Sequence, residues 1–163
     1  MNASSPFVTQ ASLTPQQFVD QVIGHSETES AFAKAKASGY GEAPVNIALS
    51  KYWGKRETSL NLPINGSVSI SLPGLGTQTE LTLSLGEQDQ IVLNDTLLEP
   101  HVTFAQRLSA FLDLFRPNEH TVFHVDTLNT VPTAAGLASS ASGYAALVLA
   151  LNDLFQWNLS DEK

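Results

Sequence analysis

Apolar residues first recur with a clear period at Val45, Ile47 and Leu49, which alternate with Asn46, Ala48 and Ser50. A two-residue period marks a half-buried strand, here predicted over 43–50. The same alternation predicts strands over 68–72 and over 79–85, where Leu81, Leu83 and Leu85 share a face. Between these two, Pro73-Gly74-Leu75-Gly76 predicts a turn, and 58–63 a loop. Another turn is predicted over 86–89, followed by a hairpin in which 90–93 pairs with 96–98 across Asn94-Asp95. The period then lengthens. Phe104, Leu108, Phe111, Leu112 and Phe115 form one helical face over 102–115, stopped by Arg116-Pro117-Asn118. Residues 121–126 predict a strand with Val122 and His124 on one face and Phe123 and Val125 on the other. After a run of small residues, Tyr144-Ala145-Ala146-Leu147-Val148-Leu149-Ala150-Leu151 reads as an Ala/Leu-rich helix.

The first forty residues follow a different pattern and read as a helical extension, residues 41–163 forming the domain proper. Thr14-Pro15 resembles a helix start, and Phe18, Val19, Val22 and Ile23 give that helix an apolar face ended by Gly24. A second short helix is predicted over 30–38, stopped by Gly39. A docked arm and a loose extension both satisfy this pattern. At the other end, Ser160 suits a helix N-cap, with Asp161 and Glu162 in the first turn, but the chain stops at Lys163. We read it as a fragment of a longer protein. The expected fold class is α+β, an antiparallel, hairpin-rich sheet with helices packed on one face.

Composition narrows the function. The chain has 163 residues, enough for one domain, with 42% hydrophobic content and no apolar run of membrane-spanning length. Its start lacks the basic and apolar regions of a secretory signal, so a cytoplasmic protein is expected. The absence of cysteine excludes disulfides and thiolate metal sites. A net charge of −8 argues against nucleic acid as a partner. Of only eight Lys and Arg residues, Lys51, Lys55 and Arg56 fall within six positions. Such a cluster suits a small anion, although a solvated surface also accommodates it. His120 and His124, two apart, read as ordinary strand residues.

The second chemical candidate is Pro132-Thr133-Ala134-Ala135-Gly136-Leu137-Ala138-Ser139-Ser140-Ala141-Ser142-Gly143. Small side chains let a ligand approach the backbone, and the helix that follows offers unpaired N–H groups at the positive end of its dipole. Ser139, Ser140 and Ser142 are added donors. Tight helix packing with a serine cap is the alternative reading. It is not a Walker loop, because no Gly-Lys-Ser/Thr follows.

The run Pro132-x-x-x-Gly136-Leu137-x-Ser139-Ser140-Ala141 resembles the phosphate-binding motif of the GHMP kinase superfamily. Within it, residues 43–56, which carry Lys51-Tyr52-Trp53-Gly54-Lys55-Arg56, resemble the diphosphomevalonate decarboxylase family, as do residues 62–69 and 132–140. The resemblance covers 42–163. It implies the N-terminal half of a GHMP-type fold, with an unusual left-handed β-α-β crossover. It also implies ATP- and Mg²⁺-dependent decarboxylation of 5-diphosphomevalonate to isopentenyl diphosphate, through phosphorylation of the 3-hydroxyl, by an enzyme that is often a homodimer.

Carried over by residue, the resemblance implies that Ala135, Gly136, Leu137, Ala138, Ser139, Ser140 and Ala141 cradle the nucleotide phosphates, Ser140 also facing the metal. Tyr52 and Lys55 would contact the substrate's diphosphate or carboxylate, and Lys51 would compensate charge at the transferring phosphoryl group. Ser67 and Ser69 would line the nucleotide side. Tyr52 and Trp53 also suit core aromatics. Two family features are missing: a Gly-Ser-Gly-Ser-x-x-Arg segment and the later aspartate that acts on the 3-hydroxyl. No catalytic base is therefore nominated, and this chain alone is expected to be inactive. A sibling mevalonate-phosphate kinase or decarboxylase, and a catalytically dead interaction module of the same fold, are the competing readings.

Overall fold

The computed structural model describes residues 13–23, 34–50, 54–57, 62–131 and 139–159. The chain forms α1 (Pro15–Ile23), β1 (Gly39–Ser50), β2 (Lys55–Glu57), β3 (Leu62–Pro63), β4 (Val68–Leu85), β5 (Gln90–Leu93), β6 (Thr96–Leu97), α2 (Thr103–Leu112), β7 (Thr121–Asn129) and α3 (Ser139–Phe155). Five strands make one sheet in the order β1-β4-β7-β5-β6, and β2 pairs with β3 apart from it. All neighbours are antiparallel except β5 and β7, which lie parallel and are joined through β6 and α2. This is the expected α+β architecture.

One face of the sheet is apolar and carries the helices. Leu81, Phe123, Val125 and Ile91 meet Ala105, Leu108 and Leu112 of α2 and Leu147, Leu151 and Leu154 of α3 in a single core. Alternation sends Tyr40, Glu42, Glu80 and Asp126 to the opposite, exposed face. The closest approach is between α3 and β1, where Gly39 and Gly41 replace side chains. A β-carbon on Gly41 would fall 2.5 Å from Ala150 N, and one on Gly39 2.6 Å from Leu154 N. Helix and strand backbones pack here without intervening side chains.

The strand predicted over 43–50 begins earlier, at Gly39, because alternation of glycine with Tyr40 and Glu42 carries no hydrophobic signal. Its far end also departs from expectation. Ile47 and Leu49 continue the inward phase, but they are exposed, as are Ile70 opposite Ile47 and Val68 opposite Ser50, and the ladder is irregular between Ala48 and Ser50.

The turn predicted at Pro73-Gly74-Leu75-Gly76 is not one. Strand β4 runs unbroken from Val68 to Leu85 and pairs with β1 on both sides of the irregularity. Pro44 faces Gly76 and Val45 faces Leu72, so residues 73–75 bulge out of the ladder, with Gly74 at φ +79°. Gly76 is needed on re-entry, since a β-carbon there would lie 2.8 Å from Pro44 Cα. Similarly, Leu62-Pro63 of the predicted loop is strand β3.

The Asn94-Asp95 hairpin forms as predicted, both residues having positive φ (49° and 61°) as a type I′ turn requires. Helix α2 spans Thr103–Leu112, shorter than the predicted 102–115, and β7 runs three residues beyond the predicted strand. Thr14 and Pro15 start α1 as read from the sequence. Gln17 N donates to Thr14 Oγ1 (3.2 Å) and Thr14 N donates to Gln17 Oε1 (2.9 Å), a reciprocal capping box. The helix docks through Ile23, Val19 and Val22 on the core. Of the helix predicted over 30–38, residues 35–38 are not helical, because Lys36 N instead donates to Leu154 O (2.9 Å) on the way into β1. The rest of that segment, and the helix start at Ser160, lie outside the described residues.

Candidate functional site

The chemistry-bearing run divides between the described and undescribed residues. Ser139 and Ser140 are the first two residues of α3, so 139–143 form the opening turn of the helix and not part of a loop. Helical geometry then separates the serines. Ser140 and Ala141 are exposed, whereas Ser142 is turned inward and is only 2% exposed, with its Oγ 2.8 Å from Thr77 Oγ1. Ser142 is therefore a structural hydroxyl and not an additional outward-facing donor. Ala135, Gly136, Leu137 and Ala138 lie outside the described residues.

A cavity of about 460 Å³ lies between α2, α3 and the sheet. Ser140, Gly143 and Tyr144 bring the first two turns of α3 to its edge, and Phe104 and Leu108 supply an apolar wall from α2. Its floor is polar: Thr77, Thr79, Thr127 and Asn129 come from the inward faces of β4 and β7. These groups are mutually satisfied, Thr77 donating to Asn129 Oδ1 (2.7 Å) and Thr79 bonding Thr127 (3.0 Å). Apolar walls and a few fixed polar groups suit a small organic ligand.

The same end of α3 tolerates negative charge. Its first turn holds no acidic residue, the Ser140 hydroxyl is exposed, and Gly143 has nothing within 4 Å of where a β-carbon would stand. A ligand with an apolar body and an anionic end fits this arrangement. A second cavity of about 430 Å³ does not. Glu87, Asp89, Asp113 and Glu119 line it with Arg116 as the lone cation, and that cation is already engaged.

Of the basic cluster, Lys55 and Arg56 are exposed on β2, where Lys55 pairs with Pro63 of β3. Lys51, Tyr52 and Trp53 lie outside the described residues. Ser67 precedes β4 and Ser69 pairs with Ala48; both are exposed, and neither lines the cavity beside Ser140. His124 Nδ1 lies 3.1 Å from Gln90 Oε1, and His120 stands exposed at the start of β7.

Sequence reasoning missed the cavity itself. Its available signal was the threonine at 77, 79 and 127, inward positions of strands where valine packs better. Buried hydroxyls there indicate hydrogen-bonded neighbours and a wet or ligand-facing edge.

Residues 43–163 match the family described as diphosphomevalonate decarboxylase-like N-terminal domain. The chain belongs to that family. It is 42% identical over 127 residues to a diphosphomevalonate decarboxylase of Candida albicans, covering 70% of this chain and 35% of the relative. With the Saccharomyces cerevisiae diphosphomevalonate decarboxylase it shares 40% identity over 131 residues, 70% of this chain and 32% of that one. A crystal structure of mevalonate diphosphate decarboxylase from Staphylococcus aureus superimposes with a TM-score of 0.70 at 40% identity, covering 77% of this chain and 38% of its own. A solved complex designated MDDEF, with MVAPP, AMPPCP and magnesium, gives 0.59 at 41% identity, covering 76% and 38%. The chain thus spans about a third of the length of the curated decarboxylases it matches. The structural agreement extends the family match to the fold, and the cavity and the first turn of α3 fall within the matched decarboxylase-like domain.

Proposed function

We propose that the full-length protein decarboxylates 5-diphosphomevalonate to isopentenyl diphosphate with ATP and Mg²⁺, a step of the mevalonate pathway, and that this chain supplies its nucleotide-facing part. The observation carrying the proposal is the apolar cavity that ends at the carboxylate-free first turn of α3, inside the matched domain. A solved relative that holds AMPPCP and magnesium supports the same choice of ligands. Bound ATP supplies the phosphoryl group that turns a tertiary hydroxyl into a leaving group.

In this reading the backbone of 135–141 with Ser139 and Ser140 holds the polyphosphate, and the Ser140 hydroxyl is the protein's oxygen ligand for Mg²⁺, a hard cation that prefers oxygen. The cavity takes the nucleoside end. Tyr52 and Lys55 bind the substrate's anionic groups, and Lys51 offsets charge at the transferring phosphoryl group, a task suited to a compact ammonium. Residues 1–40 form a helical extension to the domain over 41–163, its helix α1 lying on the core through Val19, Val22 and Ile23. No base for the 3-hydroxyl is assigned here, so the isolated chain is inactive, and the working enzyme is a cytoplasmic homodimer.

The test is calorimetric titration of the full-length protein with Mg²⁺ and a non-hydrolysable ATP analogue. We expect saturable binding, weakened about tenfold by Ser140→Ala, the loss of one charge-assisted contact. Lys55→Ala should weaken diphosphomevalonate and leave the analogue unchanged. An unmodified protein that ignores the analogue, or a Ser140→Ala variant that binds it as well as the parent, overturns the reading.

A further inference from the structure

The end of β7 and the first turn of α3 are both tied to one dipeptide of β4, Gly76-Thr77. At Gly76, the backbone N donates to Thr130 Oγ1 (2.8 Å), and the Gly76 carbonyl accepts from Thr130 N (2.9 Å) and Thr130 Oγ1 (3.2 Å). At Thr77, one hydroxyl serves both sides. It donates to Asn129 Oδ1 at 2.7 Å and lies 2.8 Å from Ser142 Oγ. A hydroxyl has a single proton. With that proton on Asn129, the proton in the second bond belongs to Ser142, and Thr77 accepts it.

Thr77 therefore joins the last residue of β7 to the first turn of α3. Its own position is fixed from three directions. It pairs with Ala43 on one side and Asn129 on the other, in the middle of the sheet, and is 1% exposed. Immediately before it, the bulge at 73–75 re-enters the ladder at Gly76 against the backbone of Pro44. The bulge is what brings a backbone N–H and a carbonyl of β4 to Thr130. Asn94 adds a further tie, its Oδ1 accepting from Asn129 N (2.8 Å). Core packing alone would favour valine at 77, with the same shape and no polar group. The hydroxyl is present where it ties the end of β7 to the first turn of α3.

We propose that Thr77 is a positioning residue for nucleotide binding: through Asn129 and Ser142 it sets the separation of β7 and α3, and with it the place of the first turn of α3, where Ser140 edges the cavity. This rests on the nucleotide reading above. It concerns how the first turn of α3 is held; because Thr77 also lines the cavity, the exchange measurement below separates positioning from direct contact.

The test uses Thr77→Val and Thr77→Ser in the full-length protein. Valine removes one hydrogen bond from each partner while keeping volume, and serine retains the hydroxyl. Without nucleotide, Thr77→Val should raise amide hydrogen exchange in peptides spanning 128–145, and Thr77→Ser should not. With Mg²⁺ and the ATP analogue, Thr77→Val should weaken binding about tenfold, the scale of one or two lost hydrogen bonds, with Thr77→Ser within about twofold of the parent. A Thr77→Val protein with a lowered melting temperature but parental analogue affinity would reduce the residue to a packing role and overturn the proposal. Exchange confined to other peptides would overturn it as well. If the parent itself fails to bind the analogue, the nucleotide reading falls and takes this proposal with it, while the exchange data still report whether the clamp exists.

Discussion

A methyl group has opposite consequences at two glycines of this domain. At Gly41 it would meet Ala146 O and lie 2.9 Å from Leu149 Cβ, in a contact made of helix and strand backbone that cannot yield side-chain space. Gly41→Ala is therefore expected to lower stability by about 1–3 kcal/mol, the usual range for forced overpacking. At Gly143, half-buried at the cavity edge of α3, nothing stands within 4 Å, and an alanine there gains the helix propensity that glycine lacks. Gly143→Ala should raise stability by up to about 1 kcal/mol. Urea midpoints of the two variants, measured side by side, check both signs. The small residues before Tyr144 were read from sequence as either an anion loop or tight packing. Among the described residues of that run both occur: Ser142 packs inward against Thr77, and Ser140 is exposed at the cavity edge, while the tightest packing glycines, Gly39 and Gly41, lie on the strand outside the run. A one-dimensional sequence gives every small residue the same appearance, and the difference arises only when α3 is laid on β1.

Elements whose signals are local were legible in advance. The hairpin at Asn94-Asp95 follows from the left-handed conformations those residues tolerate, and α1 begins at Thr14 because threonine, proline and Gln17 complete a capping box. What failed was β4. Pro73-Gly74 has turn chemistry, but the strand partner that overrides it, β1, lies some thirty residues away, and pairing on both sides converts the turn into a bulge. The start of β1 was hidden for a related reason, since its inward positions are glycines that match a helix yet carry no hydrophobic signal. The capping box gives a test at this scale. Thr14→Ala should cost α1 about 1 kcal/mol. Because the helix docks mainly through Ile23, Val19 and Val22, the loss should appear as faster amide exchange across 15–23 with little change in β4 or β7. Uniform acceleration throughout the sheet would mean that α1 is integral to the core and not an added arm.

At the scale of the whole molecule, the buried Arg116–Asp89 ion pair joins separate elements. Arg116 Nη1 and Nη2 reach Asp89 Oδ1 and Oδ2 at 3.1 and 2.9 Å, and its Nε reaches Asp113 Oδ1 at 2.9 Å. Arg116 also donates to the Thr121 carbonyl and lies over the Phe123 ring, 5.3 Å from its centroid. Asp89 accepts from Phe123 N at 2.9 Å. The pair thus ties the β4–β5 connection, the end of α2 and the start of β7 into one unit, and the Asp89 side chain is only 3% exposed. Burial by itself raises the Asp89 pKa; hydrogen bonds from Arg116, Phe123 N and Ser109, with the guanidinium charge, outweigh it and hold the carboxyl below its ordinary value. Asp153 is lowered in the same direction, first by its hydrogen bond from Lys36 and then by Tyr40 N, but it is much more exposed and contributes less. A carboxyl depressed in the folded state binds its proton more readily when unfolded, so its stabilisation is complete above the ordinary carboxylate pKa of about 4 and is lost as pH falls through the lowered folded value. Thermal midpoints measured from about pH 7 down to about pH 2 should therefore fall steeply in the acid range. Asp89→Asn places an amide donor against the guanidinium and leaves Arg116 poorly paired, which should cost about 3 kcal/mol at neutral pH. The same variant should show a flatter acid limb, because the group responsible for part of the slope is gone. A variant curve parallel to the parent's, merely displaced downward, would show that Asp89 does not govern the acid response.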